Sequence, residues 1–389
     1  MTKPPTFLAD LALAAILDAL PTARVVGGAV RDALAGRPVA DIDLATPSPP
    51  ADVATALSLA GIRTVPTGLD HGTLTALVGG RGFQITTLRR DIETDGRHAV
   101  VAFTADWRED AARRDFTINA MSMSRDGTVF DYFGGRCDLR RGVVRFVGDP
   151  ATRIAEDFLR ILRFFRFYAR YGAGRPDPAA VSAIRDSVTG LAELSAERVW
   201  NELARILAVP NPMKALTLMA ELGVLQAIVP EGTDPARLGR LVASGAPTDC
   251  VLRLAALLTG DALNLAIRLK LSAADRDRLV ALQHPLSLVP GDDDLALRRA
   301  LANTVKALLL DRAWLAGGGD QAWRTLRGRL DALERPVFPL EGRHVLAVGV
   351  NSGPAVGDLL RAIRNWWLER GCVDQLDACL AELRHRIVA

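Results

Sequence analysis

An α+β fold is the expectation for this 389-residue chain, and two observations predict it. Helical and strand-like apolar periodicities alternate over residues 1 to about 140, and strand signals nearly vanish from Asp149 onward, leaving 3.6-residue periodicity to the C-terminus. The chain also exceeds the length of one typical domain, and its 49% hydrophobic content is enough for more than one core. The architecture expected is therefore a small mixed sheet with its helices, followed by an all-helical remainder.

The elements follow in order. Residues 7–20 are apolar but interrupted by Asp10 and Asp18 and carry no clear small-residue cleavage site, so they read as an amphipathic first helix rather than a leader. A strand is expected at 23–26, a short helix after Gly27-Gly28, and a strand at 41–46. A helix at 50–60 carries Val53, Ala54 and Leu57 on one face, and strand-like runs occupy 62–65, 73–78 and 82–88. The polar run 86–98, with Gly96 in a turn context, reads as a loop. Helices are then expected at 151–171, 177–187, 195–209, 211–222 and 234–244 and on to the end. Stretches 172–178, 230–233, 285–293 and 334–342 are linkers by their Pro, Gly and Asp content.

Bulk chemistry narrows the class. Cys137, Cys250, Cys372 and Cys379 are scattered with no Cys-x-x-Cys, which indicates neither a disulfide framework nor a zinc site and suggests a reducing cytoplasm. No stretch is long and apolar enough to span a membrane, so no membrane partner is expected. Net charge is only +3, yet lysine is nearly absent and residues 131–170 hold nine arginines against five acids. Guanidinium forks suit phosphates and base edges, and a basic stripe of this kind fits RNA binding.

The most informative run is 27–46. Gly27-Gly28 follows the apolar Val25-Val26 and opens a helical segment, a setting in which backbone N–H groups can meet an anion. Asp41 and Asp43 are two apart in a strand-like run, so both carboxylates share one face while Ile42 and Leu44 point to the core. Adjacent carboxylates repel unless a cation sits between them. A pair of Mg²⁺ ions relieves that repulsion and suits in-line attack of a hydroxyl on a phosphate. A glycine turn for a triphosphate beside an Asp-x-Asp for metal points to nucleotidyl transfer.

That run, Gly-Gly-x-Val-Arg-Asp followed by Asp-x-Asp, resembles the signature of the class II tRNA nucleotidyltransferase and bacterial poly(A) polymerase superfamily. Residues 113–120, Arg-Arg-Asp-Phe-Thr-Ile-Asn-Ala, match the family's second motif nearly letter for letter. The resemblance implies that Gly27, Gly28 and Arg31, with Arg113, Arg114, Asp115 and Asn119, hold the sugar and phosphates of the incoming nucleotide. Within 153–166, Glu156-Asp157-x-x-Arg160 is similar to the family's nucleotide-selecting motif, and by spacing alone Asp157 and Arg160 are an i, i+3 ion pair on a helix. The resemblance makes them a protein template that presents a base-pairing edge to C or A. It also implies that the 86–98 loop moves in the switch from C to A addition.

Ser195 reads as an N-cap and Arg198 with Glu202 as an i, i+4 pair, on a helix that braces the template helix. Residues 340–345 and 353–357 resemble the C-terminal segment of the bacterial enzymes more loosely. Gln84 is a departure, because polymerases with this Asp pair usually take a third carboxylate from the neighbouring strand. No His-Asp pair is present, so no phosphohydrolase domain is expected.

The domains expected are a nucleotidyltransferase head at 1–145, a helical neck at 146–210, a body at 211–330 and a tRNA-binding tail at 331–389. The function expected is template-independent addition of C, C and A to tRNA from CTP and ATP. A poly(A) polymerase on the same scaffold and a non-catalytic RNA-binding protein remain as alternatives. The chain ends without a long basic tail, which favours tRNA maturation over poly(A) synthesis.

Overall fold

The computed structural model describes residues 5–69, 72–94 and 99–388, and the chain divides into two compact units, Met1–Pro230 and Glu231–Ala389. The first unit carries the sheet. Its strands are β1 (Arg24–Val26), β2 (Asp43–Thr46), β3 (Arg63–Gly68), β4 (Thr73–Val78), β5 (Arg81–Thr87), β6 (Arg89–Thr94), β7 (Ala99–Phe103), β8 (Ser122–Met123) and β9 (Val129–Phe130). Seven of them form one mixed sheet in the order β3-β4-β5-β2-β1-β8-β9, in which only β2 and β5 run parallel.

Strand alternation decides what each face does. On one face, Val25, Leu44, Phe83 and Ile85 are buried against Leu13 and Ile16 of α1 (Leu11–Ala19) and Val53 and Leu57 of α3 (Pro50–Leu59). This is the principal core of the sheet. Asp10 ends the preceding 3₁₀ turn and caps α1, its Oδ1 accepting from the Ala12 and Leu13 amides at 2.9 and 3.1 Å. The opposite face has a thinner cover, Val26, Ala45 and Leu88 with Trp107, and leaves Asp43 exposed.

The remaining helices of this unit include α2 (Gly28–Leu34), α4 (Trp107–Ala112), α5 (Gly135–Arg141), α6 (Pro150–Glu156), α7 (Leu159–Tyr171), α8 (Pro178–Ser187) and α9 (Ala196–Leu207). An aromatic cluster ties the segment after α4 to α7: the Phe116 ring lies 4.8 Å from Phe146 and 5.2 Å from Phe167, and Phe146 stacks on Phe164 at 6.0 Å. The second unit is helical, and beside other buried positions such as Leu252, Leu257 and Leu279 its described residues include two distinct apolar clusters. One gathers Leu297, Leu301, Leu326 and Leu330, and the other Val345, Ile363, Trp367 and Leu383. No helix among the described residues is long and apolar enough to cross a membrane.

Three sequence expectations change. The strand expected from Asp41 begins only at Asp43, so Asp41 lies in the connection leading into β2. Within the polar 86–98 run, Thr86 and Thr87 end β5 and Arg89–Thr94 form β6, which pairs with β7, Arg89 opposite Phe103 and Thr94 opposite Ala99; residues 95–98 lie outside the described residues. The single helix expected at 151–171 is two, broken at Asp157-Phe158. Asp157 takes an extended backbone (φ −162°, ψ 106°), and its Oδ1 accepts from the Leu159 amide at 3.1 Å, a local bond that competes with helix continuation. The break also seats the Phe158 ring against Gly190, where a Cβ would lie 2.2 Å from the ring.

Candidate active site

The site is built on the thinly covered face of the sheet. Register places Asp43 beside Val26 of β1 and Gln84 of β5, so the carboxylate sits at the head of three neighbouring strands. Immediately after Val26 the chain turns at Gly27, whose φ of +66° favours glycine and whose Cβ position lies 3.0 Å from Arg114 Nη1. The Gly27 amide donates to the Met121 carbonyl at 3.1 Å, so this N–H is spent on β-side architecture rather than left for an anion. Any amide contribution to an anion comes from further along the turn.

Asp41, Asp43 and Gln84 are all exposed and line one concavity with Arg81, Gly82 and Phe83. Neither aspartate is ion-paired with a described residue within 4 Å. Desolvation pushes the Asp43 carboxyl up, the Arg114 guanidinium opposes this, and the Asp41 carboxylate adds to it. Two neighbouring carboxylates, neither ion-paired with a described residue, are a donor set suited to a divalent ion. Among the described residues no cluster of three His, Cys, Asp or Glu side chains is present that could hold a metal, which agrees with Gln84 standing where a third carboxylate would sit.

Asp43 also opens onto a second, larger cleft of about 590 Å³ that brings together Gly27, Gly28, Arg31, Arg113, Arg114, Asp115, Asn119, Asp157 and Arg160. Thus ten of the eleven residues singled out from the sequence share one cleft, and Asp41 lies in the adjoining concavity. Buried carboxylates fix the arginines. Asp110 of α4 accepts from Arg113 Nε at 2.9 Å and from Arg114 Nη2 at 3.2 Å. Burial pushes Asp110 up, but the two guanidiniums outweigh it and hold the carboxyl below its ordinary value.

Asp115 does the same for α7. Its Oδ2 accepts from Arg163 Nε at 2.8 Å, and its Oδ1 from the Phe116 amide and Asn119 Nδ2, each at 2.9 Å. Burial raises this carboxyl, and Arg163 with the hydrogen bonds reverses the sign. Asn119 Oδ1 accepts from Arg31 Nη1, while Arg31 Nε and Nη2 grip both oxygens of Asp32 at 3.1 Å. Tyr171 donates to the same Asp32. A continuous chain of charge-assisted bonds therefore runs Arg163–Asp115–Asn119–Arg31–Asp32–Tyr171, which holds the cleft wall in a single geometry.

Asp157 and Arg160 are not an ion pair on one helix, as their spacing suggested. Asp157 Oδ2 accepts from Arg198 Nη2 at 2.7 Å, and Arg160 Nη1 donates to the Arg153 carbonyl at 2.8 Å and to Glu156. Arg198 in turn is not paired with Glu202, because Glu202 is occupied by Arg166 of α7 at 2.8 Å and Arg205 at 3.7 Å. Ser195 holds the N-cap position of α9 but makes no side-chain cap bond. The bracing by α9 is thus achieved through one ion pair to α7, Arg166–Glu202, and one to the α6–α7 break, Arg198–Asp157.

Three cleft or supporting residues were not singled out from the sequence, Arg89, Asp110 and Arg163, and Arg198 was read only as a partner of Glu202. Arg163 was detectable, since it lies one turn beyond Arg160 on the same helix face. Asp110 was detectable only as the i−3 and i−4 neighbour of the Arg113-Arg114 pair.

Paired carboxylates at the start of a central strand, in a cleft with arginines that buried carboxylates hold rigid, define the nucleotidyltransferase class. Residues 23–145 match the family described as the poly A polymerase head domain, and 175–234 the one described as a probable RNA and SrmB-binding site of polymerase A. The chain is 37% identical over 367 residues to CCA tRNA nucleotidyltransferase 1, mitochondrial, of Danio rerio, covering 88% of this chain and 83% of that protein. It is 39% identical over 201 residues to the CCA-adding enzyme of Geobacillus stearothermophilus, covering 51% and 48%. The crystal structure of the Bacillus stearothermophilus CCA-adding enzyme in complex with CTP superposes with a TM-score of 0.77 at 28% identity, covering 100% of this chain and 98% of that one. The chain belongs to the CCA tRNA nucleotidyltransferase family. Enzymes of this class work with divalent metal ions.

Proposed function

We propose that this protein adds C, C and A to the 3′ end of tRNA from CTP and ATP, without a nucleic-acid template and with Mg²⁺. The observation that supports this most is the single cleft joining Asp43 to Arg113 and Arg114 on one side and to Asp157 and Arg160 on the other. The family relationship over most of the chain's length supports tRNA rather than a growing poly(A) strand.

In this reading the tRNA 3′ oxygen attacks the α-phosphorus, a new phosphodiester forms, the α–β bond breaks and pyrophosphate leaves. Arg113 and Arg114, held by Asp110, neutralise the triphosphate and the charge that develops on the leaving group. Asn119 and Asp115 set Arg31 and Arg163 at the sugar and base end of the cleft. Asp157 and Arg160, immobilised by Arg198 and by the Arg153 carbonyl with Glu156 respectively, present hydrogen-bonding groups in fixed directions for reading the base edge. Asp41 and Asp43 would hold the Mg²⁺, which when bound supplies positive charge beside the attacking oxygen and the phosphates. The finer division into a head (1–145), neck (146–210), body (211–330) and tRNA-binding tail (331–389) is part of the same proposal, as is a cytoplasmic location.

The test gives the full chain tRNAs lacking their last one, two or three nucleotides, with each NTP separately. Stepwise incorporation of C, C and then A is expected. Runs of A alone would replace the reading with a poly(A) polymerase, and RNA binding without incorporation would leave a non-catalytic protein.

Gln84 gives an independent check of the metal assignment, because its backbone is registered against Asp43. Gln84→Glu would restore a third carboxylate and is expected to lower the Mg²⁺ concentration for half-maximal rate and to tighten Mn²⁺ binding measured without nucleotide. Unchanged titrations in both assays would remove Gln84 from the metal surroundings.

A further inference from the structure

A third cavity, of about 510 Å³, adjoins the nucleotide cleft within the first unit, and Arg31 and Phe167 line both. Four more arginines, Arg37, Arg166, Arg170 and Arg205, complete its polar wall. Among the described residues only two carboxylates answer these five guanidiniums. Asp32 holds Arg31 at 3.1 Å and reaches Arg170 at 4.0 Å, and Glu202 holds Arg166 at 2.8 Å and reaches Arg205 at 3.7 Å. Arg37 donates to the Arg170 carbonyl at 2.7 Å instead of to an acid.

The arginines are also crowded. Arg31, Arg37 and Arg170 all stand within 4.6 to 5.6 Å of the Tyr171 ring, which attracts each cation but cannot cancel their mutual repulsion. Burial and then the like charges of Arg163 and Arg205, opposed by Glu202, leave Arg166 below the usual guanidinium range. The side chains of Arg170 and Arg205 remain 46% and 62% exposed, so their forks are open to a ligand. Ala208, Val209 and Pro210 give the cavity an apolar floor, which strengthens any charge interaction above it.

We propose that this cavity is a phosphate-binding site for the RNA strand, seating a backbone phosphodiester upstream of the 3′ end that enters the nucleotide cleft. The proposal rests on the RNA-extending function above. Two observations favour an RNA phosphate over free pyrophosphate. The cavity shares a wall with the cleft but does not contain Asp43, Arg113 or Arg114, where the triphosphate would lie. Its floor also falls inside residues 175–234, the segment matched to an RNA-binding region.

The test compares the full-length wild type with the double variants Arg170→Gln/Arg205→Gln and Arg170→Lys/Arg205→Lys, on tRNA lacking its terminal three nucleotides. For the Gln pair, KM for tRNA is expected to rise about tenfold, and the slope of log affinity against log salt to fall by about 0.7 to 1.8, the range for one or two lost phosphate contacts. KM for CTP and kcat should stay within about twofold, and the Lys pair should keep most of the slope. An unchanged slope and KM for tRNA in the Gln pair overturns the proposal. So does a rise in the pyrophosphate inhibition constant alone, which would assign the cavity to free polyphosphate. Equal loss in both pairs with a lowered Tm also overturns it, by making the arginines a structural brace. Wild type that extends no tRNA would sink the function itself, whereas active wild type with unaltered variants sinks only this cavity.

Discussion

Replacing Asp43 by alanine is expected to slow nucleotide addition at least about a thousandfold, the scale of losing a principal electrostatic element of a phosphoryl-transfer site. The fold should survive, because the carboxylate is exposed, pairs with no described cation, and stands on a strand whose neighbours Leu44, Ala45 and Thr46 are buried without it. Its removal leaves no buried charge unpaired and opens no cavity. Asp41→Ala should behave alike, being likewise exposed and outside the strand. Single-turnover rates with CTP, together with Tm and tRNA affinity, check this. Either variant at full speed under ordinary Mg²⁺ would refute the carboxylate assignment.

The second large effect is expected at Arg160, and here the structure sharpens what the residue must do. Its guanidinium is held from behind by the Arg153 carbonyl and Glu156, so the group facing the cleft has little freedom. Discrimination by hydrogen bonds depends on such fixed donors, and Arg160→Ala should erase about 2–3 kcal/mol of base selectivity, or roughly thirty- to more than a hundredfold. Glu156 keeps Arg153 at 3.0 and 2.7 Å after the change, so the helix junction retains one of its two pairs. Values of kcat/KM for CTP, ATP, UTP and GTP on matched tRNA ends decide the matter. Unaltered choice among nucleotides with only a lowered Tm would reduce Arg160 to a structural residue.

The same junction shows where sequence reading reached its limit. From spacing, Asp157 pairs with Arg160 and Arg198 with Glu202, and each pairing is geometrically available on an isolated helix. In the folded chain Arg198 crosses from α9 to Asp157, and Arg166 crosses from α7 to Glu202. Nothing local distinguishes the two solutions. They differ because α7 and α9 pack side by side, which puts partners 36 and 41 positions apart closer than the next turn of their own helix.

The β6–β7 ribbon is a second case. The β6 residues, Arg-Arg-Asp-Ile-Glu-Thr, are polar enough to read as a loop, and it is their register against the apolar β7 that makes them a strand. Arg163 gripping Asp115 across 48 positions is a third.

The local pattern of the chain is enough for the α+β class and for the three runs that supply the cleft, since each depends on neighbours within a few residues and on the fixed periods of strand and helix; it is not enough for the shared strand face expected of Asp41 and Asp43, because β2 begins only at Asp43. Tertiary structure alone decided that β5 lies beside β2, bringing Gln84 to Asp43, and which carboxylate holds each arginine. Those choices are made by packing between segments far apart in the chain, where the free energy belongs to the pair of surfaces and to neither sequence alone.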